Sequence, residues 1–141
     1  MDCLQKARTI LQSSNCTCVF YNGDIVLTDS RRGVKPLLEL LQGDLDLQAY
    51  SAADKVVGKA AAYLYCLLKI KELYAGVLSQ PALEVLNRFD IPVSYGILVP
   101  AIENRTKTGF CPMESAVLNI SNPEEALEVI QKTVQQLSAN T

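Results

Sequence analysis

The chain has 141 residues, 49% hydrophobic and 20% charged, with a formal net charge of −2. This length fits one domain spanning residues 1–141, able to bury about two-thirds of its unfolded surface without staples. Histidine and tryptophan are absent, which excludes Ser-His-Asp and Cys-His catalytic pairs, imidazole-containing metal sites and Trp-lined sugar or base platforms.

Thirteen basic residues against fifteen acidic ones leave no basic excess, and Arg31-Arg32 is the one adjacent basic pair. A phosphate-tracking surface normally carries such an excess, so nucleic acid is not an expected partner. The apolar run Ala60–Leu68 is flanked by Lys59 and Lys69. It is far shorter than the roughly 20 residues of a membrane span, and the Met1-Asp2-Cys3-Leu4-Gln5-Lys6 start lacks a signal-peptide profile. Five cysteines without a CxxC spacing read as reduced thiols in the cytoplasm. Cys16 and Cys18, two apart, would point the same way from a strand, which suits neither a mutual disulfide nor a zinc knuckle. No metal and no cofactor are expected.

In chain order, Asp2 to about Gln12 predicts a helix with Leu4, Ala7, Ile10 and Leu11 on one face. Two β-rich runs, Cys16–Tyr21 and Asp24–Thr28, surround Asn22-Gly23 and predict a hairpin. Gly33–Gln42 follows as a helix, with Pro36 in its first turn and Gly43 closing it. Ala52–Ile70, capped by Ser51, predicts one long buried helix. Glu72–Ser79 is a strand, Pro81 to about Phe89 a helix and Val93–Val99 a second buried strand. Pro100–Phe110 is a polar loop, and Pro112 opens a short helix carrying Ala116, Val117 and Leu118. Asn122-Pro123-Glu124-Glu125 starts a final helix to about Leu137. Strands separated by helices imply parallel pairing with right-handed crossovers, and the hairpin adds an antiparallel edge. The expected fold is α/β, a three-layer α/β/α sandwich on a mixed sheet.

The start of the expected long helix carries Asp54, Lys55, Gly58 and Lys59. On a helix these would form a polar stripe with a side-chain gap at Gly58, at the positive end of a buried dipole. One reading is a pocket for a phosphate or carboxylate. The other is a solvated first turn in which Asp54 satisfies the dipole and the lysines snorkel. Gly58-Lys59 is no P-loop, since Ala53 and Ala60 stand where Gly and Ser or Thr belong. Cys111, before Pro112, is placed at a helix N-cap, where the dipole can activate a thiol; the plainer reading is a small residue in a turn. Glu84 is spaced to pair with Arg88 on a helix surface, and equally to face the cleft of Lys55 and Lys59. Glu103, Asn104, Arg105 and Lys107 form either a lid over the strand ends or a plain exposed loop.

This order of elements resembles the cytidine-deaminase-like fold. Asp54-Lys55-Val56-Val57-Gly58-Lys59-Ala60-Ala61-Ala62 and Cys111-Pro112-Met113-Glu114 are similar to an uncharacterised bacterial and archaeal family placed in that superfamily. Zinc deaminases carry His/Cys-Ala-Glu at one helix start and Pro-Cys-x-x-Cys at the next. Here the second start is Pro81-Ala82-Leu83-Glu84, so zinc-dependent deamination is not expected. The resemblance implies a cleft between the helix starts near Asp54 and Pro81. The expected function is binding of a small anionic ligand, a nucleotide or phosphorylated metabolite, at Asp54, Lys55, Gly58, Lys59, Glu84, Cys111 and Glu114. The alternative is a non-catalytic regulatory or protein-interaction module, and a homo-oligomer fits both.

Overall fold

The computed structural model describes residues 2–103, 109 and 111–139. Asn104, Arg105 and Lys107 of the expected lid loop lie outside them. The first helix, α1 (Cys3–Ser13), begins with a capping box: Gln5 N donates to Asp2 Oδ1 at 2.8 Å and Asp2 N to Gln5 Oε1 at 3.2 Å. Strands β1 (Cys18–Tyr21) and β2 (Val26–Asp29) form the expected hairpin. Its turn is the four-residue Asn22–Ile25, in which Asn22 Oδ1 accepts from Asp24 N and Ile25 N and Gly23 takes φ 106°. Because β1 begins at Cys18, strand alternation does not reach Cys16. The two buried thiols sit in separate core clusters on opposite faces of the sheet, contrary to the same-face expectation.

The next helix is α2 (Lys35–Gln42). The expected single helix Ala52–Ile70 is instead strand β3 (Ser51–Val57), a break at Gly58, and helix α3 (Lys59–Leu68). Ala52, Ala53 and Lys55 are good helix formers, but tertiary pairing overrides weak propensities. β3 is hydrogen-bonded on both sides, to β1 and β4, and Ala52 and Ala53 are fully buried there. Small side chains let α1 lie close on one face of the sheet and the remaining core close on the other.

The remaining elements are β4 (Glu72–Ser79), α4 (Gln80–Arg88), β5 (Val93–Val99), α5 (Pro112–Ala116) and α6 (Pro123–Ala139). Asn122 caps α6, its Oδ1 accepting from Glu125 N at 3.0 Å. The sheet order is β2-β1-β3-β4-β5, with β3, β4 and β5 mutually parallel and the hairpin antiparallel. Helix α1 covers one face around Val19, Ala53 and Tyr74. The larger core fills the other face, beneath α2, α3, α4 and α6, and includes Phe20, Leu37, Leu73, Leu78, Leu86 and Ile130. This is the expected α/β class on a mixed sheet.

One irregularity crosses three strands. Register runs through Asp54–Ala75–Tyr95 and resumes at Val56–Val77–Ile97. Between them lie Lys55, Gly76 and Gly96, and the facing of the strands changes by one residue. Ala52, Leu73 and Ala75 before this row, and Val57 and Leu78 after it, all enter the larger core. No residue is inserted, as it would be in a β-bulge: the pairing stays one-to-one and the three strands change facing together. The glycines fit because a Cβ on Gly76 would lie 2.8 Å from the Lys55 carbonyl oxygen, and one on Gly96 would lie 2.9 Å from that of Gly76. The row turns Val57 and Leu78 under α3 and α4, and leaves Val56 and Ile97 facing away from that core, 48% and 61% exposed.

Candidate functional site

The carboxyl ends of β3 and β4 lead directly into α3 and α4, so the two helix N-termini lie along one side of the sheet. Open α/β sheets bind ligands on that side. At α3 the N-cap is Gly58, which has no side chain to satisfy the first amides. Glu114 on α5, 55 positions after Lys59, supplies the missing acceptor. Its Oε1 accepts from Lys59 N at 2.6 Å and its Oε2 from Ala60 N at 3.0 Å. A Cβ on Gly58 would lie 2.6 Å from Glu114 Cδ and 2.9 Å from Oε2. The bare glycine is therefore what lets the carboxylate reach the helix end. The charge and the dipole are matched as well.

The segment after α5 is fastened to the same helices. Lys59 Nζ donates to the Leu118 carbonyl oxygen at 3.0 Å and stands 5.8 Å from the Tyr63 ring centre. The Tyr63 hydroxyl donates to the Ile120 carbonyl oxygen at 2.7 Å, and Arg88 Nη2 donates to the Ser121 carbonyl oxygen at 2.7 Å. Between these contacts Val117 is fully buried. Arg88, spaced to pair with Glu84, is thus turned towards Tyr63 and the Ser121 turn.

The other predicted residues are distributed by the strand that replaced the helix. Asp54 and Lys55 are consecutive on β3: Lys55 is exposed, and Asp54 is partly buried on the α3 side. Asp54 Oδ2 accepts from the Tyr65 hydroxyl at 2.6 Å and Oδ1 from Val56 N at 3.3 Å. Burial raises the Asp54 carboxyl from its ordinary 3.8 to about 6, although the Tyr65 hydroxyl and backbone amides favour the charged form. Cys18 lies opposite Asp54 on β1. Burial, then the Asp54 charge, pushes its thiol up to about 12, leaving it protonated at neutral pH. Burial and the same carboxylate raise the Tyr65 hydroxyl well above its ordinary range.

Glu84 is exposed on α4 and lines a shallow depression of about 410 Å³ with Gln80, Pro81, Leu98, Val99 and Pro100. Cys111 is the N-cap of α5, as expected, but that helix has five residues and Cys111 makes no side-chain cap. The structure therefore joins Gly58, Lys59 and Glu114, and separates them from the Asp54–Tyr65 pair and from the depression at Glu84. Among the described residues no three of Cys, Asp and Glu converge to hold a metal ion, and no helix is long and apolar enough to cross a membrane.

Residues 6–134 match the family described as TM1506, a domain of unknown function (DUF1893). The chain belongs to the DUF1893 family. The DUF1893 fold is also met in a crystal structure at 2.70 Å resolution of TM1506 from Thermotoga maritima. That protein is 29% identical, with a TM-score of 0.86 over 92% of this chain and 88% of the other. No curated protein matches the chain. Sequence reasoning missed Tyr63, which fastens the segment after α5, and Tyr65, the partner of Asp54, and it considered Arg88 only in relation to Glu84. The signal for the two tyrosines was their alternation on an otherwise apolar helix, since buried tyrosine hydroxyls need polar partners.

Proposed function

We propose that this chain is a ligand-binding module in which a small anion docks at the N-terminus of α3 by taking the place of Glu114. The observation that carries the reading is the Glu114 carboxylate itself, held by Lys59 N and Ala60 N over the bare Gly58. A helix end that accepts a carboxylate in this way has the donors for an external carboxylate or phosphate. Lys59 stands beside it and can turn its ammonium from Leu118 to a bound anion. Because Glu114 is tethered, its effective concentration is high. A competing ligand must therefore offer more than one anionic contact, as a nucleotide or phosphorylated metabolite does. Exchange would free α5 from α3, coupling occupancy to the position of the segment that follows. Zinc-dependent deamination has no support, since the helix starts carry Gly58-Lys59-Ala60 and Pro81-Ala82-Leu83-Glu84.

Calorimetric titration of inorganic phosphate and of a nucleoside monophosphate into wild type and Glu114→Ala tests this. The variant is expected to bind about tenfold more tightly, as removing a competitor worth roughly 1.4 kcal/mol would dictate. Equal affinities, or no heat with either protein, would contradict it. A second reading, a protein-interaction module, is favoured by a different observation: the exposed apolar side chains of β5.

A further inference from the structure

A cleft of about 160 Å³ lies between the β1–β2 hairpin and α2. Its walls follow from register and periodicity. Cys18 stands opposite Asp29 and Phe20 opposite Leu27 across the hairpin, so all four side chains point to one side of the sheet. Pro36, Glu39 and Leu40, three and four positions apart, line the cleft from α2. Phe20 and Pro36 are buried, whereas Leu27 and Leu40 are only partly covered. Well-packed proteins leave few gaps larger than one water, and this one has room for about five. An apolar cavity of about 150 Å³ is large enough to take up benzene.

Charge is concentrated at the mouth. Arg31 Nη1 and Nη2 donate to Glu39 Oε2 and Oε1 at 2.6 and 2.8 Å, while Nε and Nη2 donate to Asp29 Oδ1 and Oδ2 at 3.1 and 2.7 Å. Hydrogen bonds from the guanidinium hold both carboxyls below the ordinary carboxylate range, so both are ionised at neutral pH. The buried Cys18 thiol stays protonated and adds no charge. Lys35, one turn before Glu39, does not line the cleft. The tie between hairpin and helix therefore leaves one negative charge in surplus beside an apolar wall. A carboxylate offers about four acceptor sites, and Arg31 occupies only one on each oxygen of Glu39. Glu39 thus keeps acceptors for a further cation.

We propose that this cleft binds a small monocation with an apolar body, an aryl- or alkylamine little larger than benzene, its ring or chain against Phe20, Leu27 and Leu40 and its ammonium beside Glu39. A metal ion lacks the apolar body, and a carboxylate meets the surplus negative charge, so wall and mouth together select the class. The site shares no residue with the α3 N-terminus, and either proposal can fail alone. Calorimetric titration of benzylamine into the full chain is the test, with benzyl alcohol and benzoate as neutral and anionic counterparts of similar shape. Benzylamine should bind with a Kd of about 1 mM, the range expected of so few atoms, and both counterparts at least about fivefold more weakly. Glu39→Gln should weaken benzylamine about fivefold, and Arg31→Gln, which leaves two unpaired carboxylates, should tighten it by a similar factor. Amide shifts of Phe20, Leu27 and Leu40 in wild type locate the probe, and they remain a test should Arg31→Gln loosen the hairpin. No heat and no shifts at several millimolar benzylamine, equal binding of benzyl alcohol, or a Glu39→Gln substitution without effect would overturn the proposal.

Discussion

Replacing Asp54 with Asn isolates the energetic effect of one partly buried charge. Burial moves this carboxyl from an ordinary 3.8 to about 6 in the folded chain, so the folded state binds the proton more tightly than the unfolded one. The sign follows from linkage: stability is greatest below pH 4, where both states are protonated, and is lost as pH rises to about 6. The separation corresponds to about 3 kcal/mol, with the bonds from Tyr65 and Val56 already counted. Partial access to solvent reduces the expectation to about 1–3 kcal/mol. Asn can turn its carbonyl to Val56 N and its amide to the Tyr65 hydroxyl, which accepts, so the shape and the bonds survive without the charge. Cys18 is held protonated across this range and Asp29 is paired with Arg31, so neither neighbour titrates in the window. Urea unfolding of both proteins from pH 4 to pH 7.5 is the assay. Asp54→Asn should match wild type near pH 4 and exceed it by about 1–3 kcal/mol at pH 7. A variant less stable than wild type at pH 7, or a difference independent of pH, would mean that burial of the Asp54 charge does not destabilise the fold.

Two further predictions concern the glycines. Gly58→Ala should displace the Glu114 carboxylate, the far end of a flexible side chain, and cost about 1–2 kcal/mol through loss of the two amide contacts. In a double-mutant cycle with Glu114→Ala the second substitution should then cost almost nothing, whereas additive losses would mean that the two residues do not interact. Gly76→Ala forces a Cβ against a backbone carbonyl between two paired strands and should cost more than about 2 kcal/mol. Gly96→Ala should cost less, because β5 has a free side on which to shift; equal midpoints in denaturant would argue against the strained row.

Much of the fold was legible because its signals are local. Asn22-Gly23 marks the hairpin, Pro81 and Pro112 open helices, and Asn122 caps α6. The strand at Ser51–Val57 was not, because alanine chosen for closeness of packing has the same side chain as alanine chosen for helicity. Val56-Val57 before Gly58 was the opposing clue, a β-branched pair ending at a breaker. That error moved Asp54 and Lys55 into the wrong site, since strand neighbours point to opposite faces. Glu114 was recognisable as part of a motif, but its partnership with Gly58 spans the fold and follows no periodicity. The row of Lys55, Gly76 and Gly96 was likewise visible only as isolated glycines inside strands, each a sign of close backbone approach.

The proposed function makes the α3 N-terminus an anion receptor whose resident anion is Glu114. Amide chemical shifts of Lys59 and Ala60 report on it directly. In wild type they should move when Glu114 is replaced by Ala, and move back towards their original positions when inorganic phosphate is added to that variant. Amides that ignore both the substitution and the added phosphate would mean that the α3 N-terminus holds no exchangeable anion.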